Sequence, residues 1–87
     1  MEIEKYLLEK GLNPAVKGFD YIVKAIELFN EDIKYKHNIM SELYPTIAKT
    51  FNDDASKVER AIRHCIKSAR INMQNSEFIA TAQIETK

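Results

Sequence analysis

Phe19, Ile22, Val23, Ile26, Phe29 and Ile33 recur at steps of three and four, which puts six apolar side chains on one stripe of a helix. Asp20, Lys24, Glu27 and Glu31 fall between them and face water. An amphipathic helix of this kind must lay its stripe on other elements. The remaining chain has few places to turn, with two glycines and two prolines in 87 residues, so helices joined by short loops are expected. The fold class is therefore read as all-α, a compact bundle of about five helices forming one domain over residues 1–87.

A chain of this length supports one modest core. No apolar run approaches the roughly 18 residues that a membrane helix needs, and no membrane partner is expected. The start, Met1-Glu2-Ile3-Glu4-Lys5, lacks the basic-then-apolar order of a secretory signal. A single cysteine excludes an internal disulfide, and a reducing, cytoplasmic setting is the natural expectation.

The first helix is placed at Ile3 to Lys10, stopping at Gly11. Asn13-Pro14 reads as a cap and a first-turn proline opening the second helix, which ends within Ile33 to Asn38. A third helix runs from about Ser41 to Phe51, with Leu43, Ile47, Ala48 and Phe51 inward and Pro45 in its first turn. Asn52-Asp53-Asp54 is a polar break. The fourth helix covers Ala55 to about Arg70, just after two aspartates that suit its positive end. A last helix spans about Ser76 to Ile84.

Net charge is zero, which argues mildly against nucleic acid, but the charge is uneven. Met1 to Leu43 has six lysines against eight carboxylates, a balance of −2, whereas Tyr44 to Arg70 has six cations against three carboxylates, a balance of +3. All three arginines lie between positions 60 and 70. A neutral average hides a basic helix.

The third and fourth helices carry the offsets of a helix-turn-helix over about residues 41–70. Ala48 is the small residue that lets the second helix approach. Asn52, four positions on, tolerates the left-handed backbone that the turn requires. Val58, six further, anchors the second helix, while Asp53 stands where an apolar residue is more usual. On a wheel of about 100° per residue with Ser56 at zero, Val58, Ala61, Ile62, Cys65, Ile66 and Ala69 fill an arc of about 140° to 280°. The opposite arc holds Ser56, Lys57, Glu59, Arg60, Arg63, His64, Lys67 and Arg70.

Double-stranded DNA needs this division, one side docked on the protein and the other in the major groove. Arg60 and Arg63 are assigned to base reading, where arginine forks onto guanine, and Glu59 to accepting from cytosine. Ser56, Lys57, His64 and Lys67 are assigned to phosphates. The same wheel also describes an ordinary helix with a solvated charged face, and periodicity alone leaves both readings open.

Four stretches are more specific. Lys17-Gly18-Phe19, Leu43-Tyr44-Pro45 with Ile47-Ala48-Lys49, Ala55 through His64 (ASKVERAIRH) and Asn75 through Ala80 (NSEFIA) resemble the C-terminal DNA-binding domain of the stage-zero sporulation master response regulator of Firmicutes. The resemblance covers about Tyr6 to Ala80, and VERAIRH is its most specific part. It implies a helical effector domain on a short DNA box, often as head-to-tail tandem copies. It places residues matching Glu59, Arg60 and Arg63 at the bases and those matching Ser56, Lys57 and His64 at or near the backbone. Lys49, within the matched Ile47-Ala48-Lys49, joins the backbone set. The family's last helix, matched by Ser76 to Ala80, helps adjacent copies touch, so Phe78 and Ile79 are candidates for self-association, although core packing is the commoner role for such residues.

Three departures from the family qualify this. No stretch corresponds to its phosphate-accepting receiver domain, so an excised domain or a free-standing relative is expected. Only Ile71 to Gln74 remains where the family has a longer segment with a helix that contacts RNA polymerase's sigma subunit, which weakens the expectation of activation by that route. Asp53-Asp54 replaces uncharged hydroxyl residues, and negative charge there should weaken DNA binding and sharpen its salt sensitivity.

No phosphate loop, nucleophile–base pair or metal set is present, so neither an enzyme nor a cofactor is expected. Cys65 reads as core, and His37 has no partner at ligand spacing. The competing function is a protein-interaction module or inhibitor that keeps the scaffold without DNA, paired with a related regulator. Asp53-Asp54, the zero net charge and the short segment favour it.

Overall fold

The computed structural model describes residues 2–87, whose regular structure is entirely helical. The elements are α1 (Glu2–Glu9), α2 (Lys17–Glu31), α3 (Lys34–His37), a π-helical turn (Ile39–Leu43), α4 (Tyr44–Phe51), α5 (Ala55–Ser68) and α6 (Asn75–Glu85). The all-α expectation holds, with one short helix and a π turn more than the periodicity indicated.

Three of the helices end on the same backbone device. Gly11, Asn52 and Arg70 adopt φ of 90°, 56° and 61°, the left-handed conformation that closes a helix and lets the next N–H reach back to orphan carbonyls. Leu12 N–H bonds to Leu7 O at 3.1 Å, Asp53 N–H to Ala48 O at 2.8 Å and Ile71 N–H to Ile66 O at 3.3 Å. Gly11 and Asn52 were legible as turn residues. Arg70 was not, and α5 stops at Ser68 rather than at about Arg70.

Asn13-Pro14 does not open α2. Asn13 Oδ1 instead accepts from Ala15 N–H at 2.9 Å in a separate turn, and Val16 is extended before α2 starts at Lys17. The helix then ends at Glu31, because Asp32 turns extended and its Oδ1 accepts from Lys34 N–H at 2.9 Å to begin α3. Ile33 is consequently 67% exposed and drops out of the apolar stripe. The third expected helix starts at Tyr44 instead of Ser41, since Asn38 O accepts from Leu43 N–H at 3.1 Å and makes a wide π turn before it. Pro45 sits in the first turn of α4 as expected.

The core is built around α2, which packs most extensively on α5 and α6, with α4 laid on α5 and α1 bridging α2 and α6. Leu7, Ile22, Ile26, Leu43, Ile47, Ile62, Ile66 and Ile79 are fully enclosed, each contributing about 1.5–3 kcal/mol by leaving water. Tyr21, Ala25 and Leu28 are buried as well, because α2 is covered on more than one side. Gly18 is the point of closest approach. A Cβ there would overlap the Ala61 carbonyl oxygen and lie 2.7 Å from Cys65 Cβ. Gln83 Nε2 donates to Asn30 Oδ1 at 2.8 Å and fastens α6 to α2.

Candidate nucleic-acid interface

The turn from Asn52 to Asp54 sets the direction of α5. Ala48 is buried beneath it, Asn52 takes the left-handed backbone, and Val58 is fully enclosed on the far side. Asp53 follows the left-handed residue, where the equivalent Leu12 and Ile71 pack against the core. Its carboxylate has polar partners instead. Oδ2 accepts from the Tyr21 hydroxyl at 2.5 Å and Oδ1 from Asp54 N–H at 2.9 Å. The Tyr21 hydrogen bond, helped by that backbone bond, holds the Asp53 carboxyl below its ordinary range.

Asp54 is the N-cap of α5. Its Oδ1 accepts from Lys57 N–H at 2.9 Å and from Ser56 Oγ at 2.8 Å, and the Lys57 bond leads in lowering its carboxyl. This is the ordinary work of a cap, satisfying an orphan N–H. The two aspartates are therefore structural residues of the turn, and the Ser56 hydroxyl proton is already engaged.

Along α5 the two arcs separate as the wheel indicated. Val58, Ile62, Cys65 and Ile66 are at most 1% exposed. Burial pushes the Cys65 thiol above its usual range, in keeping with a packing role. Ser56, Lys57, Arg60, Arg63, His64 and Lys67 are all exposed. Lys49 is exposed on the last turn of α4. Among the described residues, no carboxylate lies within ion-pairing distance of Lys49, Lys57, Arg60 or Lys67. His64 Nε2 lies 3.4 Å from Ser68 Oγ, one turn on.

Arg63 is the exception. Its Nε lies 3.3 Å from Glu59 Oε2, with the two side chains 50% and 30% exposed. The pair leaves the guanidinium's terminal nitrogens open while committing the Glu59 carboxylate. Behind it, Asn75 Nδ2 donates to Glu59 O and to Tyr44 Oη, each at 3.1 Å. Asn75 carries a polar contact to the basic helix, and Tyr44 braces Asn75, a link that periodicity did not reveal. The signal available was their place inside two of the matched stretches.

Two expectations need correction. Arg70 is not part of α5, which ends at Ser68, and its backbone is left-handed. Phe78 and Ile79 are 2% and 0% exposed and close the core of their own copy, so neither offers surface to a neighbour. Among the described residues, no helix is long and apolar enough to cross a membrane.

The arrangement presents several cations on a rigid helix, two of them planar guanidinium forks, which suits a polyanion with hydrogen-bond acceptors in a groove. Residues 3–86 match the family model described as sporulation initiation factor Spo0A C terminal.

Proposed function

This chain belongs to the sporulation initiation factor Spo0A C-terminal family, a DNA-binding regulatory domain, and on that premise we propose that it is a sequence-specific transcription regulator reading the major groove with α5. The observation that carries this reading is the division of α5 into an enclosed apolar arc and an open cationic one. Arg60 and Arg63 are the base readers, each able to fork onto guanine. Lys49, Lys57, His64 and Lys67 hold phosphates. Ser56 joins them once its hydroxyl turns from Asp54. Glu59, committed to Arg63, orients that arginine and supplies at most one acceptor to cytosine. One copy covers little groove surface, so tandem copies on adjacent boxes bind more tightly than a single one.

Selection of bound oligonucleotides followed by electrophoretic shift at two salt concentrations tests this. A shifted complex on the selected box is expected, weakening steeply with salt. Lys67→Ala should weaken all sequences alike and flatten the logarithmic salt slope by about 0.9.

An interaction module on the same scaffold is the second reading. It is favoured by an open groove of about 730 Å³ beside α5, where Ile39, Met40 and Met73 line the apolar part and Met40 is 72% exposed. The absence of any shift at low salt, together with a stable complex with a related regulator, would decide for it.

A further inference from the structure

We propose that Asn75 is a positioning residue for base reading, its carboxamide setting the arrangement of the Glu59–Arg63 pair on the reading helix. The inference rests on the reading of α5 as the DNA-contacting element. It starts from a polar chain that runs outward from the interior: Tyr44, Asn75, Glu59, Arg63.

Asn75 opens α6 and is only 9% exposed, and Tyr44 beside it is 3% exposed. A buried amide must satisfy its donors. Nδ2 meets Tyr44 Oη at 3.1 Å, Glu59 O at 3.1 Å and Glu59 Oε2 at 3.5 Å. The Glu59 oxygens only accept, so the amino end of the carboxamide faces them. The first two contacts satisfy both amino protons, and the third holds the carboxylate close by. That same Oε2 receives Arg63 Nε at 3.3 Å.

On a bare helix, an i,i+4 pair half open to water drifts among rotamers and is weakly held. Here its inner partner is rooted in a buried amide. Glu59 loses freedom and takes Arg63 Nε, which leaves the two terminal guanidinium nitrogens as the fork that faces outward. Ordering the fork before DNA arrives removes a rotamer cost from binding. That gain is realised only where two acceptors are correctly placed, so it sharpens discrimination more than general affinity.

The test uses the full chain with Asn75→Ala and Asn75→Asp. The second keeps the shape and can accept from the Tyr44 hydroxyl, but it repels Glu59. Each is titrated onto the selected box, onto a box with the Arg63-contacted guanine replaced, and onto random DNA, with thermal melting in parallel. The Arg63 Nε–H resonance of the free protein is followed by NMR.

The expected result is a loss of about three- to tenfold in discrimination at that base pair, with random-DNA affinity little changed. The Nε–H signal should move toward its solvent-exposed value, and Glu59→Gln should add nothing further to Asn75→Ala. Unchanged discrimination with an unchanged resonance overturns the role. So does a uniform loss on all DNA that tracks the melting temperature, the mark of a merely structural residue. Failure of the wild type to discriminate overturns the proposed function itself. Discrimination by the wild type and both variants alike overturns only the role of Asn75.

Discussion

The Tyr21 hydroxyl donates to Asp53 Oδ2 at 2.5 Å, joining the second turn of α2 to the turn before α5 across 32 positions of sequence. Phe51 lies over the same tyrosine, with ring centroids 5.1 Å apart and planes at 60°. The residue that seemed misplaced in the turn is thus held by the helix on which α5 packs.

The pH dependence of stability should report this bond. The Asp53 carboxyl is lowered from 3.8, first by the Tyr21 bond. Its stabilisation is therefore present above that value and lost as pH falls through the lower folded one. Burial, then the same bond, pushes Tyr21 from 10.0 to about 12, so its contribution is present below 10.0 and lost as pH rises toward about 12. Tyr21→Phe should lower the melting temperature at neutral pH and flatten both limbs, leaving the part of the acid limb that belongs to Asp54. Superimposable pH profiles for the two proteins would refute the coupling.

Gly18→Ala should destabilise by about 1–3 kcal/mol or more, because the added methyl meets a backbone carbonyl rather than a side chain that can swing away. For a domain of this size each kcal/mol corresponds to about 4–8 °C in melting temperature. Calorimetry reads it, and a loss under about half a kcal/mol would mean that α2 and α5 separate freely.

Arg70→Gly should stabilise by about 0.5–1 kcal/mol, since a side chain in the left-handed region is strained and glycine is not. Arg70 closes α5 with φ 61° and lies beyond the helix end at Ser68, so affinity for the selected box should fall less than for Lys67→Ala. Urea denaturation and a shift assay measure the two effects. A less stable Arg70→Gly protein would contradict the assignment.

The parts of this fold that were legible in the sequence are those in which each residue acts through its own type and spacing. The buried arc of α5, the left-handed Asn52 and the placement of Pro45 all follow from periodicity or steric preference. Helix ends were less legible, because Asn13, Asp32 and Asn38 each divert the backbone by a local hydrogen bond that competes with the helix. Spacing alone places Ile33 and Phe51 inward. The early end of α2 exposes the first, and the second, 42% exposed, is only partly covered, with the Tyr21 ring tilted against it.

The candidate site divides in the same way. Arg60, Arg63 and Lys67 could be listed from a wheel because exposure on a helix is a local matter. Asn75 and Tyr44 could not, since their value depends on contacts 16 and 31 positions away. Asp53 and Asp54 looked like charges placed against DNA. Their partners Tyr21 and Lys57 make them a turn brace and a helix cap, so their place in the turn has a structural reason that is independent of any contact with DNA.

The central claim is that the exposed arginines of α5 read bases, and Arg60, with no carboxylate at ion-pairing distance among the described residues, tests it most cleanly. Affinities of wild type and Arg60→Ala should be compared on the selected box, on variants with each guanine replaced, and on random DNA at one salt concentration. The account predicts a loss of about 1–3 kcal/mol on the selected box, relaxed preference at one guanine position and little change on random DNA. An equal loss on specific and random DNA, with every base preference intact, would contradict it.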